Sequence, residues 1–230
     1  MRRIGFSLFL CLLLLSAVAS APAPAKAGGL EDLARERIAQ ETGLDEELIA
    51  ILFISKEDAQ FILTFIYIDE RVFNSKLKPD LLEALAPYRD EEAMLTLVTP
   101  ARESYFNPLL ISFTQDQVNY RVSFGAIRKI SESFTIGSLP QGEVSAGVIL
   151  LDRLEPELGF PPLLGLRLDV RKPFSINYMD YSTDFALGPS PGEPLGLGPW
   201  SPGGEITDLF QLILYAILNL LLFLLLGFLV

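Results

Sequence analysis

The chain of 230 residues contains no histidine, and its only cysteine, Cys11, lies in the first hydrophobic run. Beyond that run there is no thiol and no imidazole. A structural disulfide, a thiol nucleophile, an imidazole base and a zinc site of the usual ligand type are therefore excluded there. Basic charge is also scarce, with 18 Lys and Arg against 29 Asp and Glu, a net charge of −11. Removal of residues 1–27 would take away Arg2, Arg3 and Lys26 and no acid, leaving 15 basic and 29 acidic side chains, or −14. Such a surface repels phosphate backbones and anionic headgroups, so no nucleic-acid partner is expected.

What is abundant is apolar sequence, half of all residues. Much of it sits at the two ends. Arg2 and Arg3 precede an uncharged stretch from Ile4 to Leu15, then small residues, which is the order of a secretory signal peptide. Cleavage is expected after Ala19 or Ala27, with residues 1–27 preferred as the leader. At the other end, Leu209 to Val230 is a run of 22 uncharged residues. At about 1.5 Å per residue it reaches roughly 33 Å, matching a hydrocarbon core of about 30 Å. Thr207 and Asp208 can cap its first turn, and Trp200 stands where an interfacial aromatic would sit.

Residues 206–230 are thus expected to be a single transmembrane anchor helix, with the body on the extracytoplasmic side, in a periplasm or at a cell surface. Two other readings of the tail stay open: a buried core helix, and a lipid-anchor attachment signal that is removed. Gln211, Tyr215 and Asn219 recur every four residues and offer a polar stripe for helix–helix contact. Residues 186–205, with six Gly and five Pro, read as a spacer between body and anchor.

The body reads as α+β in two pieces. Residues 28–92 suggest a small α-β-β unit with a connecting helix. In "LEDLARERIAQETG", Leu30, Leu33, Ala34 and Ile38 share a face and Gly43 is a natural C-cap. "ELIAILFI" and "QFILTFIYI" read as a hairpin, and "KPDLLEALAP" as the connecting helix. Residues 93–185 read as an antiparallel β-sandwich, with strands expected at 94–99, 107–114, 117–124, 126–131, 143–151, 163–170 and 173–181. In "QVNYRVSF" alternation puts Val118, Tyr120, Val122 and Phe124 on the buried face and Arg121 in water.

Two resemblances follow. "LARERIAQETG" ahead of two strands is similar in form to small secreted PepSY-type domains over residues 30–68. "FTIGSLPQGEVSAGVILLD", with Gly137, Leu139, Gly142, Glu143 and Gly147 in place, resembles the late strands of telokin-like, immunoglobulin-like bacterial extracytoplasmic domains over residues 105–178. That resemblance implies a binding or structural sandwich with no catalytic residues to carry over.

Candidate chemistry is thin. "YMDYSTDF" sets Asp180, Ser182 and Asp184 at alternate positions beside Tyr178 and Tyr181. A calcium site needs about six to eight oxygens, more than this stretch supplies. Tyr178, Asp180, Tyr181 and Asp184 remain candidate contacts for a ligand or partner. Asp152, Glu155 and Glu157 read as a solvated turn rather than a glycosidase pair. No metal and no cofactor is expected. The leading expectation is a membrane-anchored envelope module without catalytic activity that binds a protein or envelope component. Its alternatives are an accessory subunit acting through the anchor helix and a carboxylate-dependent hydrolase.

Overall fold

The computed structural model describes residues 29–56, 59–157, 166–187, 217–221 and 223–225. The expected signal peptide, most of the spacer, and Gln211 and Tyr215 lie outside the described residues.

Helix α1 (Leu30–Thr42) ends at Gly43, whose left-handed φ of 70° and amide bond to the Ala39 carbonyl make the expected C-cap. Ala34, Ile38, Ala39 and Thr42 face inward. Leu33, expected beside them, is 60% exposed, because the buried stripe runs toward Ala39 and Thr42 instead. A first hairpin follows, β1 (Ile49–Lys56) and β2 (Ala59–Tyr67), paired from Ile49↔Ile66 to Lys56↔Ala59. Two short helices, α2 (Glu70–Phe73) and α3 (Pro79–Leu85), lead to β3 (Ala93–Pro100).

β3 pairs with β2 from Phe61↔Pro100 to Tyr67↔Met94. The division expected at residue 92 is therefore crossed by one continuous ladder. β9 (Ser145–Leu150) and then β7 (Ile127–Lys129) complete a sheet of order β1-β2-β3-β9-β7, antiparallel throughout. The second sheet has the order β10-β6-β5-β11-β12. Its strands are β5 (Ile111–Gln115), β6 (Val118–Arg121), β10 (Glu155–Glu157), β11 (Phe174–Tyr178) and β12 (Tyr181–Phe185). A third, two-stranded sheet joins β4 (Ser104–Phe106) to β8 (Gly137–Leu139).

Two cores divide the body into three layers. One fills the space between the five-stranded sheets: Leu63, Phe65, Met94 and Ile149 from the first meet Phe113, Tyr120, Phe174 and Ile176 from the second. The other lies on the outer face of the first sheet. Ile49, Ile51, Ile62, Ile66, Leu95 and Val148 share it with Ala34 and Ile38 of α1 and Leu81 and Leu85 of α3. Leu220, Leu221, Phe223 and Leu224 of the C-terminal segment join that same cluster, and residues 217–221 and 223–225 are helical. Each large apolar side chain buried this way contributes roughly 1.5–3 kcal/mol. Among the described residues no helix is long and apolar enough to cross a membrane.

Three strand expectations are corrected. The strand expected at 163–170 carries no ladder over its described part, residues 166–170, although Leu168 and Val170 are buried in the expected alternation. Side chains replace strand partners here: Gln115 Nε2 donates to the Asp169 carbonyl (2.8 Å), the Asp169 amide donates to Gln115 Oε1 (2.8 Å), and the Tyr120 hydroxyl donates to the Arg167 carbonyl (3.3 Å). Residues 107–110 belong to no strand, because Pro108–Leu110 forms a 3-10 turn under an Asn107 side-chain cap. Finally, β6 stops at Arg121 and the chain coils at Phe124–Ala126, which leaves Phe124 72% exposed rather than inside. Val122 and Tyr120 are buried as expected.

Candidate functional site

The four candidate contact residues sit on the hairpin β11–β12. Its two-residue turn is Met179–Asp180, and Met179 takes a positive φ of 53°, a conformation that costs a non-glycine residue free energy. Alternation then sorts the side chains. Tyr178 points into the sandwich core, stacked on Phe106 at 6.1 Å and edge-on to Phe61 at 5.4 Å. Its hydroxyl accepts from the Asn107 amide at 3.3 Å. Burial pushes the Tyr178 phenol above its ordinary pKa.

Asp180 and Tyr181 instead form a seam between the two sheets. The Tyr181 hydroxyl donates to the Ser55 carbonyl at 2.6 Å, and the Ser55 amide lies 3.3 Å from the same oxygen. Lys56 Nζ pairs with Asp180 at 2.8 Å and lies 5.9 Å from the Tyr181 ring centroid. β1 and β12 are edge strands of different sheets, so this seam closes one side of the sandwich and covers strand edges that would otherwise invite pairing. Asp184 lies apart on the solvent face, accepting from Ser175 Oγ at 2.6 Å. The hairpin therefore keeps Asp180 and Asp184 with separate partners. Among the described residues no group of three or more Asp, Glu, His or Cys is placed to hold a metal ion.

The acidic stretch after β9 is an exposed edge. Glu157 on β10 accepts from Asn119 Nδ2 at 2.7 Å and pairs with Arg121. The Asn119 hydrogen bond, aided by Arg121, holds the Glu157 carboxyl below the usual carboxylate range. That is the opposite of the raised value a general acid needs.

Two features were not legible in the sequence. Arg71 gathers three carboxylates, Asp69 at 2.6 Å, Asp45 at 3.1 Å and Glu47, and so fastens the start of α2 to the turn before β1. These partners are separated by up to 26 positions in sequence, so spacing gives no signal. The second is an apolar end of the second sheet. The register Tyr178↔Ile111 carries Leu110 and Met179 to the same end, and Ser112↔Arg121 brings the segment of Phe124 there as well. All three are exposed, Met179 at 51%.

No protein-family profile, curated protein or solved structure matches the chain.

Proposed function

We propose that this protein is a membrane-anchored extracytoplasmic module of the cell envelope, an immunoglobulin-like sandwich that binds a protein or envelope component and carries no catalytic centre. The observation that carries this reading is the arrangement of charge along the chain. Helix-length uncharged runs stand at both ends, and between them lies a strongly acidic body whose packed core is a pair of antiparallel sheets. A leader with two arginines and a C-terminal uncharged run of 22 residues are the physical requirements of export and anchoring. The exposed side chains of Leu110, Phe124 and Met179 at one end of the second sheet support a binding role, because grouped apolar exposure is uncommon on surfaces that meet only water.

The test is topological. The chain is made in a bacterium with its own leader, and protease is added to spheroplasts. The reading expects the body to be digested from outside while a C-terminal fragment stays with the membrane. A body protected until the cells are lysed refutes it.

A further inference from the structure

The segment expected to span a bilayer is also a segment the body can hold. We propose that the outer face of the first sheet is a docking site for an uncharged helix, that its occupant is the C-terminal segment of the same chain, and that docking and membrane insertion exclude one another. This rests on the anchored reading and adds a second, water-soluble state to it.

The docked geometry is direct. Leu220 and Leu224 are fully buried and Leu221 and Phe223 nearly so, in the cluster that contains Ile62, Ile66 and Leu95 of the sheet face. The Lys78 amide, at the N-cap of α3, donates to the Leu224 carbonyl at 3.2 Å. Without this segment, apolar surface of that sheet face would meet water.

The comparison with α1 shows that covering the sheet is only half of what the tail is built for. α1 packs on the same cluster and is amphipathic: Ala34, Ile38 and Ala39 turn inward, while Glu36, Arg37 and Glu41 carry charge on the rest of its surface. The tail has no charge on any side from Leu209 to Val230. A helix needed only as a lid would keep a charged back, as α1 does; one with no charge on any side fits either a sheltered groove or lipid. The sheet face is equally suited to an exchangeable contact. Thr64 and Thr99, on the same face as Ile62 and Leu97 by alternation, are fully buried with hydroxyls that meet no partner among the described residues, so the floor of the site is not locked by those groups to the described part of its cover. A groove and a tail that hide each other in water allow the chain to stay dispersed until a bilayer takes the tail.

The experiment is a cross-linking rate. Lys78→Cys and Leu225→Cys, the latter at a partly exposed position next to Leu224, are introduced together with Cys11→Ser, and a short flexible bismaleimide is added to the purified full chain. A control pair, Glu157→Cys with Leu225→Cys, places one thiol on the second sheet, away from the site. Docking predicts rapid bridging within one chain for the first pair and little for the control. Neutral phosphatidylcholine vesicles, added before the reagent, are chosen because they do not repel the acidic body. They should slow bridging of the first pair at least tenfold. Equal rates with and without vesicles overturn the exchange and make the tail a permanent part of the core. No bridging in water overturns the docking site while leaving the anchor reading intact. A bridge that joins two chains, seen as a dimer on a denaturing gel, overturns docking within one chain.

Discussion

Gly147 lies in β9 on the face turned toward the second sheet, and the ring of Phe134 rests directly on its backbone. A Cβ built at Gly147 would meet Phe134 Cδ1 at 2.2 Å, Cε1 at 2.5 Å and Cγ at 2.6 Å, where ordinary contact begins at 3.4 Å. The ring would have to withdraw by about 1.2 Å. It has nowhere to go: Phe134 is fully buried and packed against Phe106 at 5.5 Å. One added methyl in a packed core costs about 1–3 kcal/mol, and a rigid ring held on both sides belongs at the upper end. Loss of unfolded-state freedom on replacing glycine offsets about 0.4–1 kcal/mol of this. Gly147→Ala should therefore destabilise the body by about 2 kcal/mol, where an uncrowded strand glycine would gain stability. Phe134→Leu should relieve the clash, so the double variant should lose at least about 1 kcal/mol less than the two single losses combined. Urea denaturation followed by the near-ultraviolet dichroism of the tyrosines measures all four proteins. A neutral or stabilising Gly147→Ala, or strict additivity in the double variant, would refute the contact.

Val122→Asp puts an unpaired charge between the sheets and should cost several kcal/mol, whereas Arg121→Asp loses an exposed pair with Glu157 and sets a carboxylate across from Glu155, all in water, and should cost far less; equal losses in urea would mean the wrong face is inside. Thr96 is fully buried in β3 with a hydroxyl that meets no partner among the described residues, so Thr96→Val should raise stability by about 1 kcal/mol, and a lower urea midpoint would show that the hydroxyl is satisfied. Tyr178, Tyr67 and Tyr120 have phenols raised above the ordinary value by burial, the last two helped by nearby acids. Because the folded value exceeds the unfolded one of about 10, this stability is whole below pH 10 and is lost as the pH rises through the folded values. The urea midpoint should fall as the pH rises above about 10, and less steeply in Tyr178→Phe; a flat profile there would contradict the burial.

The legible parts of the fold were those where one physical pattern dominates. The second sheet has one face in water, and its strands show it: in "VNYR" and "FSINY" the buried residues Tyr120, Phe174, Ile176 and Tyr178 alternate with polar ones. The first sheet is covered on both faces, so β3 is buried at every position and offers no period to read. That continuous apolar character was itself the sign of a third layer, and it is why the β1–β2 hairpin looked like a separate unit rather than the edge of the same sheet. β4, β8 and β10 are three residues each, too short for alternation to register. β12 was legible in principle, with Tyr181, Thr183 and Phe185 on one face, but its outward Ser182 and Asp184 resembled a polar loop. Of the candidate contacts, Tyr178 lies in the core while Asp180 and Tyr181 lie in the seam between the sheets. The sequence could not show that Ser55 and Lys56, over 120 positions away, would meet Tyr181 and Asp180.

We propose that residues 209–230 alone hold the body to a membrane. Membranes from cells making the full chain, or a chain ending at Gly204, are washed with alkaline carbonate and floated through a density gradient. Flotation matters, because removing the tail uncovers the outer sheet face, and aggregates would pellet but would not rise. The account predicts that the full chain floats with the lipid and that the shortened chain stays in the dense, soluble fractions. A shortened chain that still floats, or a full chain that carbonate strips from the membrane, would contradict it.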